Sequence, residues 1–193
     1  WKGTVKTLGD TAYAYGPFKS VDNARLMDAE SFSSKKIFSV ITPGHAAHHI
    51  SFICDPFLFA GEAGGVFLRV GKDCEYLRPA TPPRFFLATS MESLDKLIAK
   101  SPDKICYGHY GMRSGAADML EKHKKQLYLW EKTIKEEFDT CIQKDLVNSC
   151  IDRLLEKDSM LKGFFQMDPA VQERERGFLA NSIRGFVGYL ESL

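Results

Sequence analysis

Short apolar runs separated by turn residues dominate the chain between about residues 37 and 107. Runs of this length that are bounded by Gly, Pro or Asp are typical of β-strands. The predicted strands are 37–42, 49–54, 57–60, 66–70 and 105–107, and 105–107 is expected to be the last strand. Because the strands are short and each one ends in a loop, the pattern indicates a layered unit of strands and helices.

Helical periodicity replaces this pattern in the second half of the chain. Ser90 is expected to cap the first long helix. The last helix is expected to begin with Asp168 as its N-cap and Pro169 in its first turn. The sequence therefore predicts a mixed part, residues 1–114, followed by a helical extension, residues 115–193.

The composition is that of an ordinary globular protein, with 44% hydrophobic and 26% charged residues. A formal net charge of +1 gives no support for a nucleic-acid-binding surface, which usually carries a concentrated basic surplus. The densest basic stretch, 122–125, lies among glutamates in a helical pattern and is expected to be a solvated helix face. No apolar run reaches the roughly 18–20 residues of a membrane span. The expected partner is therefore a small-molecule substrate, not nucleic acid or a membrane.

The five cysteines do not form a pattern of disulfide or zinc-binding pairs. Their number is odd and none stands in a Cys-x-x-Cys motif. Cys54 and Cys106 fall inside predicted strands, where a thiol acts as a small apolar group. Free thiols are typical of a reducing compartment, so we expect a cytoplasmic protein.

Three of the predicted strands are followed by glycine and then by a residue able to bind metal, namely His45, Glu62 and His109. Glycine allows a sharp turn and a close backbone approach, while the strand holds the ligand in place. Imidazole nitrogens and carboxylate oxygens are ligands of zinc and iron. Each pair taken alone is more typical of a hydrogen-bonded loop residue. The spacing of all three leaves both interpretations open.

Two further residues are expected near this site. His49 falls on the polar side of the next predicted strand and is expected to orient a ligand or to contact substrate. Tyr110 follows His109, and together with the loop 78–84 and the helical extension it is expected to shape the substrate pocket.

Three segments resemble the second half of the metallo-β-lactamase superfamily. They are TPGHAAHHISF from Thr42, LFAGE from Leu58 and YGHYG from Tyr107, in the order in which the family carries its TPGH, LF-x-GD and GH segments. The resemblance covers roughly residues 35–112. It implies an α+β fold, a four-layer αβ/βα sandwich with the metal site at one edge. It also puts His45, Glu62 and His109 at ligand positions, and His49 at a histidine that is not usually a ligand.

The sequence departs from the family pattern in two ways. The bridging carboxylate is normally aspartate, whereas Glu62 is one methylene longer. This change predicts an altered metal–metal distance, one metal instead of two, or an empty site. The His-x-His-x-Asp-His motif, which supplies most ligands and the general acid–base aspartate, does not occur in these residues and is expected upstream of Trp1.

The function implied is that of a metal-dependent hydrolase. It would use hydroxide on one or two zinc ions to cleave an ester, thioester, lactone or amide, with iron or manganese as alternative metals. One alternative is an iron-dependent enzyme that handles oxygen or sulfur on the same scaffold. Another is a degenerate, non-catalytic member whose helical extension mediates binding or a homodimer.

Overall fold

The computed structural model describes residues 1–32, 34–82, 85–140 and 146–193, and of Thr7 the backbone alone. The strands are β1 (Phe38–Ile41), β2 (Ile50–Cys54), β3 (Phe57–Gly61), β4 (Val66–Val70), β5 (Cys74–Arg78), β6 (Lys104–Tyr107) and β7 (Met112–Ser114). A five-stranded sheet has the order β1-β2-β3-β6-β7, and β4 and β5 form a separate hairpin. All neighbouring strands are antiparallel except β3 and β6, which are parallel.

Helices precede, interrupt and follow the strands. The α-helices are α1 (Lys2–Leu8), α2 (Asp10–Tyr15), α3 (Leu87–Ala99), α4 (Ala116–Thr140), α5 (Leu146–Lys157) and α6 (Pro169–Leu190). Among the described residues, two 3-10 helices lie at Asn23–Arg25 and Ser159–Gln166. The described part of the chain contains no helix that is both long and apolar enough to cross a bilayer.

The two faces of the five-stranded sheet have different environments. Successive strand residues point to opposite faces, and on β3 the side chains of Leu58 and Ala60 are fully buried against the helices. Phe59 lies between them in sequence and is exposed on the opposite face, next to the exposed Phe52 of β2. The helices therefore cover one face of the sheet and leave aromatic side chains exposed on the other.

The helical extension shares its core with the sheet. Trp130 of α4, Leu154 of α5 and Phe186 of α6 are fully buried and belong to the same cluster as Leu58. Close contact is required at Gly163, where a Cβ atom would lie 3.0 Å from the carbonyl oxygen of Glu75 in β5. The extension is thus packed directly against the β4–β5 hairpin.

The five predicted strands are present, with ends that differ by at most one residue, but two strands were not predicted. β5 lacked a clear apolar alternation, and β7 is too short to carry a pattern, so the expectation that 105–107 is the last strand is wrong. Ser90 is not a cap, because its N–H already donates to the carbonyl oxygen of Phe86 in a helix that begins at Leu87. The start of the last helix is confirmed, with Asp168 as N-cap and Pro169 in the first turn.

Candidate metal centre

Three strand ends meet at one edge of the five-stranded sheet. β3 and β6 are parallel neighbours, so Glu62 and His109 leave the sheet on the same side. The backbones touch there, since the N–H of Gly108 donates to the carbonyl oxygen of Gly61 at 3.2 Å. β1 is antiparallel to β2, and β2 to β3, so β1 ends at this edge as well and brings His45 with it.

The carboxylate of Glu62 lies between two imidazole rings. Its Oε2 atom is 2.8 Å from Nε2 of His45, and its Oε1 atom is 3.0 Å from Nε2 of His109. The Glu62 side chain is 26% exposed and that of His109 is 62% exposed, so the cluster is open to solvent on one side. The three side chains that the sequence singled out are therefore in direct contact.

Both ring nitrogens of His45 face oxygen acceptors. Nδ1 lies 3.0 Å from the carbonyl oxygen of Ala80, and Nε2 faces Glu62. Two acceptors require two N–H donors, so without a bound cation the ring is an imidazolium. The hydrogen bond to Glu62 accordingly raises the pKa of His45, against the opposing effect of burial.

The same contacts fix the charge of Glu62. Burial, the largest single influence, raises the pKa of this carboxyl, but the hydrogen bonds and charges of His45 and His109 together outweigh it and lower the pKa to about 2. Glu62 is therefore ionised near neutral pH and forms a fixed negative charge at the edge of the sheet.

His49 holds the loop that carries Glu62. The backbone N–H of Glu62 donates to Nε2 of His49 at 3.2 Å, so Nδ1 carries the ring proton and donates to Oγ1 of Thr42 at 2.9 Å. The Thr42 hydroxyl donates onward to Ser51, whose hydroxyl donates to the carbonyl oxygen of Ala60. Burial is the main cause of the lowered pKa of His49, which keeps the ring neutral and able to accept from Glu62.

The residue before Glu62, Gly61 at the end of β3, must be glycine. Gly61 has a φ of +57°, and a Cβ atom there would lie 2.5 Å from Nε2 of His49. A side chain would thus strain the backbone and displace the imidazole that supports Glu62.

A small cavity of about 20 Å³ lies beside His45 and Glu62, and this volume suits a single water molecule. Its walls include Ala80 and Thr81 from the predicted pocket loop and His123 from the helical extension. The cavity is further lined by Thr42, Pro43, Gly44, Ala63, Phe85, Ser90, Ser93 and Leu127.

Other parts of the predicted substrate pocket do not line this cavity. Arg78 is buried in an ion pair with Glu175, and Tyr110 is 68% exposed at the surface. Residues 83 and 84 of the predicted loop lie outside the described residues.

His123 was missed by the sequence analysis. The stretch 122–125 was expected to face solvent, but His123 is only 3% exposed. Its spacing from Leu120 and Leu127, three and four residues away on one helix face, was the signal that places it inside.

The donor set of the cluster fits a divalent cation in its chemistry, but the side chains are in direct contact. Two imidazoles and a carboxylate suit zinc, and a cation can replace the shared protons of His45 and His109. Ligands of one tetrahedral zinc ion stand roughly 3.3 Å apart, so the 2.8 Å between His45 and Glu62 must widen by about half an ångström. As they stand, no three His, Cys, Asp or Glu side chains of the described ranges surround an ion-sized space.

Comparisons with known proteins agree on the architecture. A metallo-β-lactamase fold-containing protein, ST1585 of Sulfurisphaera tokodaii, is 32% identical over 128 residues, which are 63% of this chain and 46% of that protein. The crystal structure described as an archaeal metallo-β-lactamase superfamily protein, ST1585 from Sulfolobus tokodaii, matches 96% of this chain and 61% of the solved chain with a TM-score of 0.62 and 25% identity. The chain is a metallo-β-lactamase-fold protein.

A second structure shows the same fold. It is a metallo-β-lactamase family protein, TTHA1429 from Thermus thermophilus, with a TM-score of 0.54, 20% identity and coverage of 86% of this chain and 48% of that one. No model of a protein family matches the chain. This metallo-β-lactamase-fold chain spans about half the length of the curated relative that it matches.

The comparisons confirm the predicted α+β fold of metallo-β-lactamase type and its helical C-terminal region. The assignment of His45, Glu62 and His109 as ligands stays a prediction, and so do the supporting roles of His49 and Tyr110. The division at residue 114, the small-molecule substrate, the homodimer and the cytoplasmic location also stay predictions.

Proposed function

We propose that His45, Glu62 and His109 bind a divalent metal ion, and that the protein is a metal-dependent hydrolase of esters, thioesters, lactones or amides. The observation that supports this most strongly is the ionised carboxylate of Glu62 held between two imidazole Nε2 atoms at an open sheet edge. Nitrogen and oxygen donors with one open side favour zinc and leave room for water and substrate.

A bound ion would supply Lewis acidity and would activate water as a nucleophile near neutral pH. The chain's own residues prepare this site. The carbonyl oxygen of Ala80 fixes the ring of His45 through Nδ1, which leaves Nε2 for the ion. His49 fixes the backbone at Glu62, so the carboxylate starts from a supported loop.

The three donors provide an incomplete set for the two-ion site typical of the superfamily. We propose that the further ligands and the general acid–base aspartate come from a His-x-His-x-Asp-His segment, which these 193 residues do not contain. With the donors of this chain alone, one ion is the expected stoichiometry.

A non-catalytic role is the second candidate, and one observation favours it. The direct contacts of Glu62 with both imidazoles already satisfy the carboxylate without an ion. Such a closed ion-pair cluster would stabilise the sheet edge in a protein that binds a partner and has no hydrolytic activity.

Hydrolysis of 4-nitrophenyl acetate and of a small thioester, by protein that also carries the proposed His-x-His-x-Asp-His segment, distinguishes the two candidates. We expect activity that a chelator removes and that zinc restores, and we expect the variants His45→Ala and Glu62→Gln to lose it. His48→Ala is the matched control, because it removes an exposed histidine three residues from His45. Activity that survives chelation, or its absence in the zinc-loaded protein, would contradict the hydrolase proposal and favour the non-catalytic role.

A further inference from the structure

The carbonyl oxygen that orients His45 belongs to a short segment between β5 and α3. Ala80 accepts the Nδ1–H of His45 at 3.0 Å from within the segment 79–81. A hydrogen bond to the second ring nitrogen of a histidine ligand sets the direction in which the first nitrogen points. The position of the segment 79–81 therefore decides where Nε2 of His45 is directed.

Helix α6 of the extension fixes both neighbours of Ala80. The hydroxyl of Thr81 donates to the carbonyl oxygen of Ser182 at 2.8 Å. The hydroxyl of Ser182 donates to the carbonyl oxygen of Pro79 at 3.0 Å. Thr81 and Ser182 are both buried, so these two hydrogen bonds are shielded from water. One residue of α6 thus holds both neighbours of Ala80, Pro79 through its carbonyl oxygen and Thr81 through its hydroxyl.

A buried ion pair fixes the residue that precedes the segment 79–81. Nε of Arg78, which immediately precedes the segment, donates to Oε2 of Glu175 at 2.7 Å. Glu175 lies seven residues before Ser182, which is two helical turns along the same face of α6. Both side chains are buried. Each charge depends strongly on the other, because either one alone would be buried without a partner.

At Gly185, helix α6 lies so close to the segment that no side chain fits between them. A Cβ atom at Gly185 would lie 2.5 Å from the carbonyl oxygen of Thr81 and 2.7 Å from that of Pro82, both of which are backbone atoms. Gly177 lies on the same helix, and a Cβ atom there would meet nothing within 4 Å. The two glycines therefore form a matched pair in which only one supports the segment.

We propose that helix α6 is a positioning element for the metal site, and that Ser182 and Gly185 set the orientation of His45 through the carbonyl oxygen of Ala80. This inference rests on the proposed metal-binding function of His45. Neither Ser182 nor Gly185 touches the metal or substrate; both act through the segment 79–81. The extension then contributes to the centre without adding a ligand to it.

The first test uses metal-free protein and NMR of histidine labelled with ¹⁵N. We expect the Nδ1–H signal of His45 to be protected from exchange in the wild type and in Gly177→Ala. In Gly185→Ala the methyl group displaces the segment, so the signal is expected to shift and to exchange faster. An unchanged His45 signal in a folded Gly185→Ala variant overturns the proposal.

The second test measures zinc affinity and the visible spectrum of the cobalt-loaded protein. Ser182→Ala removes only a hydroxyl and serves as a second variant if Gly185→Ala does not fold. We expect both variants to bind zinc about 10-fold to 100-fold more weakly, the usual effect of removing support from a ligand, with a changed cobalt spectrum. We expect Gly177→Ala to match the wild type.

Equal affinities and spectra in all four proteins overturn the positioning role. Absence of metal from the wild type refutes the proposed function instead. In that case the NMR signal of His45 still decides whether α6 orients its ring, so the two failures are distinguishable.

Discussion

Glu62 and Asp158 are two carboxylates that each receive hydrogen bonds from nitrogen donors, in two different regions of the molecule. Glu62 stands at the open edge of the sheet between two imidazoles. Asp158 lies within the helical extension and is 2% exposed. It accepts from Nε1 of Trp130 at 2.8 Å, from Nε2 of Gln126 at 2.8 Å and from the N–H of Met160 at 2.9 Å.

The same kind of bonding gives opposite pKa shifts. Burial raises the pKa of Asp158 in spite of its three donors. At Glu62 the two imidazoles outweigh burial and lower the pKa to about 2. The difference follows from the neighbours, since the imidazoles carry positive charge when protonated, whereas indole, amide and peptide donors are neutral.

The nitrogen donors around the two carboxylates also differ in whether a metal ion can replace their protons. An imidazole nitrogen can release its proton and bind a metal ion, while indole and amide N–H groups keep theirs. Glu62 therefore belongs to a cluster that can exchange protons for a cation, and Asp158 belongs to one that holds helices together. The predictions below test this division.

The largest expected effect is on stability, at the buried carboxylate. Asp158→Ala leaves the indole N–H of Trp130 and one amide N–H of Gln126 without acceptors, and we expect the free energy of unfolding to fall by about 3 kcal/mol or more. Urea denaturation measures this. Asp152→Ala is the control, because its carboxylate is exposed and paired only at the surface, and should cost less than about 1 kcal/mol. Similar values for both variants would show that the buried network is not structural.

The second effect is on the metal affinity of the site that contains Glu62. Glu62→Gln keeps the shape of the side chain but removes its charge, and we expect zinc affinity to fall at least about 100-fold, more than for a supporting residue. The free energy of unfolding is expected to fall by about 1 to 2 kcal/mol at neutral pH, because the imidazoles that lower the pKa of Glu62 stabilise its charged form, although partial solvation weakens this effect. Calorimetric zinc titration and urea denaturation are the two measurements, and unaltered zinc affinity would remove Glu62 from the site.

A third prediction concerns pH and the histidine that joins the two regions. Gln126 donates to the carbonyl oxygen of Leu77 and to Asp158, so its Oε1 atom accepts the Nδ1–H of His123 at 3.0 Å. Burial, the main influence, lowers the pKa of His123 to about 4. As pH falls from 6.5 towards 4, the unfolded chain binds a proton that the folded chain does not, so His123 lowers the stability of the fold.

The variant His123→Gln isolates this effect from the other titrating groups. We expect the difference in free energy of unfolding between wild type and variant to change by about 2 kcal/mol from pH 7 to pH 5, in favour of the variant at pH 5. Unfolding curves of both proteins at the two pH values give this difference. A difference that stays constant with pH would mean that His123 is not held neutral.

The smallest effect is expected at His109. Its side chain is 62% exposed, and we expect His109→Ala to change the free energy of unfolding by less than about 0.5 kcal/mol. Thermal unfolding without metal measures this. A large loss of stability would mean that the imidazole–carboxylate pair is structural, as in the helical network, and would weaken the division between the regions.

The sequence indicated which three side chains meet at the sheet edge better than it indicated the residues that support them. His45, Glu62 and His109 were found because strand, glycine and ligand are contiguous in the chain, so a local pattern carries the information. Parallel pairing of β3 and β6 then brings the ends together, as expected for this fold. The supports could not be predicted in this way, since Ala80 acts through a backbone carbonyl and Ser182 lies 102 residues further along the chain.

Two errors have a related physical cause. Ser90 resembles a helix cap but lies in the first turn of α3, whose first residue, Leu87, is buried in the core. His123 stands in a basic stretch but occupies the buried face of α4, because the helical period places it with Leu120 and Leu127. In both cases the neighbours in space, not the neighbours in sequence, decide the environment.

Metal content per chain decides whether His45, Glu62 and His109 form a metal site. Elemental analysis before and after incubation with zinc, for the wild type and for Glu62→Ala, measures it. We expect one equivalent of zinc in the loaded wild type and almost none in the variant. One equivalent of iron in the isolated protein would support metal binding but favour the iron-dependent alternative. No metal in the wild type, even with excess zinc, would contradict the assignment of His45, Glu62 and His109 as ligands.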